Sequence, residues 1–203
     1  MVFTWTVALA TAGALVAPAA LAAPAASAPA PVSGSHAASA NARFAPVDAF
    51  ASSPAVTYDL ARVPAGAGVE VLSLVNADGS AVSVQVRGLL PNHVYGAHVH
   101  RRACGPLPAD AGPHAQGVPD PVQPSVDPAY ANPRNEIWLD FATDANGDAQ
   151  SHARVAWAIP PGGAGSIVLH EHATHTGPGE AGTAGDRLAC VSVPFGAAPA
   201  TPA

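Results

Sequence analysis

Gly96-Ala97-His98-Val99-His100 sets two imidazoles two residues apart in a stretch that alternates like a β-strand. Successive strand side chains point to opposite faces, so His98 and His100 share one face while Tyr95, Ala97 and Val99 point into a core. The reading is a rigid backbone carrying two nitrogen donors on its outer surface, which is half of a metal site.

The same period of two runs outward from this stretch, and no helix-length apolar stripe interrupts it. The pattern predicts strands over 56–63, 69–75, 81–87, 94–101, 136–143, 148–158, 166–172 and 188–193. Asp78-Gly79 and Asn146-Gly147 are dipeptides that tight hairpins prefer, because Gly and Asn tolerate positive φ. Many short antiparallel strands with Gly and Pro between them make a sandwich or a barrel. The stretch 104–135 is too rich in proline to hold strands, and a structureless insertion of that length in a compact domain is usually functional.

Outside the strands the chain changes character. All eight basic residues are Arg, none is Lys, and the formal charge is −6. That argues against a nucleic-acid protein, which shows a basic surface, and against a membrane-surface binder, which shows a basic amphipathic helix. Residues 1–23 read as a secretory signal peptide, with an apolar run ending in the small-x-small sequence Ala20-Leu21-Ala22. Residues 24–54 are rich in Ala, Pro and Ser and read as a flexible linker, with His36 a solvated histidine; 196–203 reads as a disordered tail. The folded unit is then 55–195, secreted or held in the cell envelope, with no membrane anchor.

Cys104 and Cys190 are the only cysteines, and an oxidising compartment favours a bond between them. Such a bond would pin the start of the long loop to the last strand, beside the His98–His100 pair.

Five motifs now fall in order: Gly96-Ala97-His98-Val99-His100, Cys104, Ala111-Gly112-Pro113-His114, Val168-Leu169-His170-Glu171, and Gly182-Thr183-Ala184-Gly185-Asp186-Arg187-Leu188-Ala189-Cys190. In order and approximate spacing they resemble the copper/zinc superoxide dismutase family, secreted bacterial type. The resemblance implies an eight-stranded antiparallel Greek-key β-barrel, immunoglobulin-like, with long loops. It implies that His98, His100, His114 and His170 ligate copper, His114 being the family's bridge to zinc. It implies that Arg187 draws the superoxide anion towards copper, that His114 handles a proton, and that Cys104 and Cys190 form the family's disulfide. Four imidazoles also suit Cu(II) on chemical grounds, whereas structural zinc more often recruits thiolates.

The chain departs from the family in two places. After His114, the stretch 115–140 contains no histidine, and its carboxylates are Asp120, Asp127, Glu136 and Asp140. The expectation is a copper-only member without zinc, in which Glu136 or Asp140 takes the second nitrogen of His114, because a metal-bound imidazole donates its other N–H to some acceptor. The segment 170–187 also lacks the family's basic steering residues, so Arg101 and Arg102 are the remaining cations near the ligand pair. The shortened 100–104 connection carries over no dimer mode. His93, His152, His172 and His175 read as surface histidines, and Tyr130, Trp138 and Trp157 as packing aromatics.

Three functions fit this reading: a copper-dependent superoxide dismutase, a secreted copper-buffering protein without turnover, and a structural domain on the same fold. Arg187 separates them, since a copper holder gains nothing from a cation beside the metal and an anion-consuming site does. The expected activity is therefore disproportionation of superoxide to dioxygen and hydrogen peroxide.

Overall fold

The computed structural model describes residues 1–2 and 34–195, so the cleavage site expected at Ala20-Leu21-Ala22, the first part of the linker and the tail lie outside the described residues. Among the described residues no helix is long and apolar enough to cross a membrane. The described residues are nearly all β, with ten strands and two short 3₁₀ turns at Val47–Ser52 and Pro108–Ala111 among them. The strands are β1 (His36–Arg43), β2 (Ala45–Pro46), β3 (Ala55–Thr57), β4 (Gly68–Asn76), β5 (Gly79–Arg87), β6 (Val94–His100), β7 (Phe141–Ala142), β8 (Ala149–Val155), β9 (Ser166–His170) and β10 (Arg187–Ser192).

Two sheets pack over one core. The first runs β1-β4-β5-β8, antiparallel throughout, and the second runs β2-β3-β10-β9-β6-β7, with β2 and β3 parallel. Val69, Val71 and Val75 of β4 and Val82, Val84 and Val86 of β5 fill one side of the core. Tyr95, Ala97, Val99, Ile167, Leu169, Ala189 and Val191 fill the other side. These are the inward positions of alternating strands, and their burial is the main source of stability.

The all-β architecture is the expected one, but the expected eight-stranded Greek-key barrel is corrected to a sandwich of two sheets. The stretch 136–143 does not enter the sheet as a full strand; only Phe141–Ala142 pairs with Val94–Tyr95. Upstream, residues 137–139 run antiparallel beside β6 in the same register, with Leu139 N–H donating to the Ala97 carbonyl at 2.7 Å, Val99 N–H donating to the Ile137 carbonyl at 3.2 Å and Trp138 bridging His98. The ladder is interrupted at Asp140, whose side chain takes the N–H of Ala97. Ile137 and Leu139 enter the core, Glu136 and Trp138 face the histidines, and the result is a sandwich of two open sheets.

Within the stretch 24–54 expected as linker, the described residues from 36 onward are structured, forming β1, β2 and the first 3₁₀ turn. β1 pairs with β4 along its whole length, from His36 opposite Val75 to Arg43 opposite Gly68. Ala38, Ala40 and Ala42 rest on the core. An edge strand of small residues gets its backbone hydrogen bonds from its neighbour and needs little side-chain area of its own. The expected strand over 56–63 is short for a similar reason: after Thr57 the chain turns, with Thr57 Oγ1 donating to the carbonyl of Val63 at 2.7 Å.

Candidate metal centre

The site lies on the outer face of the second sheet. Gly96 of β6 stands opposite His170 of β9, which stands opposite Arg187 of β10. One step along, His98 pairs with Val168 and Val168 with Cys190. With side chains alternating, His98, His100 and His170 project to one side of adjacent strands. The long loop then lays His114 against His100 as an isolated bridge. Cys104 and Cys190 are bonded, so the start of that loop is fixed to β10. Val56, Ala111, Val168 and Cys190 form a small second core beneath it.

The loop cover changes the expected exposure. His98 and His100 are fully buried rather than surface donors, and His170 is 5 % exposed. His114 keeps 16 % of its side chain in solvent. One donor atom from each of the four histidines lies within 4.8 Å of the others.

The hydrogen bonds fix which nitrogen faces inward. His100 Nδ1 donates to the carbonyl of Gly112 at 2.8 Å, which leaves Nε2 as its lone pair. His114 Nδ1 donates to Glu136 Oε2 at 2.7 Å, with the same result. His170 Nδ1 faces the carbonyl of Gly185 at 3.5 Å, and its Nε2 lies 3.4 Å from Nε2 of His100. His98 is reversed: Nε2 meets Thr174 Oγ1 at 2.6 Å, and the buried Nδ1 has no hydrogen-bond partner. Each ring hands its proton outward to an oxygen and turns a lone pair inward. That is the arrangement in which imidazoles bind a metal, and the unpartnered Nδ1 is an atom that a metal would satisfy. The four residues fit a divalent transition-metal ion of the kind imidazoles bind, copper and zinc among them.

The same geometry keeps His98, His100 and His170 neutral. Burial holds His98 and His100 well below the ordinary histidine range, reinforced by the charge that His114 would carry. Burial, with His114 and then Arg187, pushes His170 down to about 3. Neutral imidazoles are the ligand form.

Glu136 orients His114. It is 1 % exposed, and besides His114 it accepts from Trp138 Nε1 at 2.7 Å and from Gln116 Nε2 at 2.8 Å. Asp140, the other candidate, lies away from His114; it accepts from the backbone of Ala97 and from Thr174. Gln116, Trp138 and Thr174 were not read as site residues. Trp138 shares a face with Glu136 in extended chain, which is a usable signal; Gln116 and Thr174 give none.

Arg187 stands beside the cluster. Its guanidinium donates from Nη1 to the carbonyl of Pro108 at 2.9 Å and from Nη2 to that of Gly112 at 2.8 Å. The Gly112 carbonyl also accepts from His100 Nδ1, so the imidazole and the guanidinium share one acceptor atom. Among the described residues no carboxylate pairs with Arg187, whereas the nearby acids Asp59 and Glu171 are taken by Arg62 at 3.1 and 2.7 Å. Arg187, His114 and His170 line one cavity of about 210 Å³, which adjoins a wider one of about 760 Å³ along Gln123, Pro124 and Arg187.

The remaining expected residues stay outside. Arg101 and Arg102 are exposed, and Arg102 donates to the carbonyl of Ala109 at 3.2 Å. His172 and His175 stack on each other at 4.8 Å, and His175 faces Glu180 at 3.2 Å. His93 contacts the carbonyl of Glu171 at 3.0 Å, and His152 lies on the outer face of the first sheet.

No family model and no curated protein matches the sequence. Solved structures similar to the chain include a double mutant and a single mutant of a SOD-like protein from Bacillus subtilis. Each is 15 % identical, covers 75 % of this chain and 95 % of that one, and gives a TM-score of 0.49.

Proposed function

We propose that this protein is a secreted, copper-dependent superoxide dismutase. The observation that carries the reading is Arg187: an arginine without an ion-pair partner among the described residues, bonded to the carbonyl that also orients His100, on the wall of a cavity shared with two imidazoles. His98 through Nδ1 and His100, His114 and His170 through Nε2 would hold the ion. A copper ion bound there supplies the one-electron couple that turns two superoxide anions and two protons into dioxygen and hydrogen peroxide. Arg187 favours an anion at the cavity over a neutral molecule or a cation. His114 is the ligand with side chain open to solvent, so it is the proposed site of proton exchange. Its Nδ1 is committed to Glu136, which leaves that nitrogen no lone pair for zinc and supports a copper-only centre. The disulfide supports an extracellular or envelope location.

A copper-buffering protein would use the same four ligands but has no need of Arg187. The test is Arg187→Ala. A unit charge about 4 Å from an anion is worth on the order of 4 kcal/mol at an effective dielectric near 20, less when screened by salt. Superoxide consumption should fall while copper stoichiometry stays unchanged, because arginine is not a ligand. Consumption unchanged from wild type would leave buffering as the function.

A further inference from the structure

We infer that Thr174 is the positioning residue for His98: its hydroxyl, set between the His98 ring and Asp140, holds that ring as the Nε2–H form and thereby turns Nδ1 to the metal. The inference rests on the metal reading above for the ion's identity, but not for the contact itself.

His98 is fully buried, so each of its ring nitrogens needs an account. Asp140 Oδ1 is 3.8 Å from His98 Nε2, too far for a hydrogen bond. Thr174 Oγ1 fills the gap, 2.6 Å from the ring nitrogen and 2.8 Å from Asp140 Oδ1. Direction follows from the chemistry of the acceptor. A carboxylate donates nothing, so the hydroxyl proton goes to Asp140, and the hydroxyl oxygen then accepts from His98 Nε2–H. Asp140 is itself held, accepting from the backbone N–H of Ala97 at 3.1 Å and of Thr174 at 2.8 Å. The chain of donors therefore runs one way, and its end is a buried Nδ1 with a free lone pair and no protein partner.

The loop that carries Thr174 reaches β6 because residue 96 has no side chain. A Cβ there would meet Ala184 Cβ at 2.6 Å, the carbonyl of His172 at 2.7 Å and Thr174 Oγ1 at 3.4 Å. The other three histidines are oriented by Glu136 or by backbone carbonyls. His98 alone among the four depends on a hydroxyl.

Thr174→Val keeps the shape and removes the hydroxyl, and Thr174→Ser restores it. Three measurements read the outcome: the His98 ring tautomer in metal-free protein by two-bond ¹H–¹⁵N NMR, Cu(II) affinity by chelator competition, and the Cu(II) paramagnetic-resonance spectrum. Wild type and Thr174→Ser should show Nε2–H. Thr174→Val should lose that preference, bind Cu(II) about 10- to 100-fold more weakly and change the spectrum. A wild-type ring found as Nδ1–H overturns the inference with no variant needed. So does a Thr174→Val protein with wild-type tautomer, affinity and spectrum. If the wild type takes up no copper, the copper reading fails on its own, and the metal-free tautomer still decides the role of Thr174.

Discussion

Replacing Glu136 by Gln tests whether a buried carboxylate organises the His114 side of the centre. Three donors converge on Glu136: His114 Nδ1 at 2.7 Å and Trp138 Nε1 at 2.7 Å, both on Oε2, and Gln116 Nε2 at 2.8 Å on Oε1. Glutamine conserves volume but keeps one acceptor oxygen. If that oxygen stays under His114 and Trp138, the new NH₂ faces the NH₂ of Gln116. Gln116 cannot flip at no cost, because its Oε1 accepts from the backbone of Asp120 at 2.9 Å. In the other orientation two donors lose their partner. At least one buried donor is therefore left bare, at about 1–3 kcal/mol. For a domain of this size that lowers Tm by roughly 2–10 °C. Loss of the carboxylate that orients a ligand weakens metal affinity about 10- to 100-fold. Calorimetry of the metal-free protein and competition titration with a copper chelator measure the two effects separately. Unchanged Tm together with unchanged copper affinity in Glu136→Gln would refute the reasoning.

Two further predictions follow from the same geometry. The Cys104–Cys190 bond closes a loop with a sequence separation of 86, worth about 4–5 kcal/mol in the loop-closure account, so reduction should lower Tm by roughly 10 °C or more; a protein equally stable with and without reductant contradicts this. His98, His100 and His170 resist protonation in the folded state, the last down to about 3, whereas unfolded histidines titrate near about 6.5. The unfolded chain thus binds more protons in that interval, and the metal-free protein should be fully stabilised above pH ~6.5 and lose stability as pH falls towards ~3. Urea midpoints that stay flat between pH 7 and pH 4.5 would count against it.

What the sequence made legible was what large alternating side chains and fixed spacings encode. β4 alternates Val69, Val71, Ser73 and Val75 and β5 alternates Ser80, Val82, Val84 and Val86 on the inward face, and their strands follow directly from that period of two. His98 and His100 share a face for the same reason, and the four imidazoles expected together do meet. β1 was read as linker because alanine carries little apolar area, and its pairing depends on β4 rather than on its own residues. The burial of His98 and His100 depends on the path of a proline-rich loop, and no local pattern encodes a path. The same holds for Thr174, whose place between Asp140 and His98 exists only once two distant segments cross β6. The stretch from 136 to 143 pairs beside β6 only in part, because the Ala97 N–H goes to the Asp140 side chain and not to a ladder carbonyl, and the two sheets form a sandwich in place of the expected barrel.

The most direct measurement is superoxide decay, followed optically after pulse radiolysis, in the presence of protein loaded with one equivalent of Cu(II) and excess EDTA to silence copper outside the protein. The account predicts catalytic decay that scales with copper-loaded protein, falls in Arg187→Ala at unchanged copper content, and disappears when His98 and His100 are replaced by alanine. Retained copper with decay no faster than in buffer and EDTA alone would contradict it.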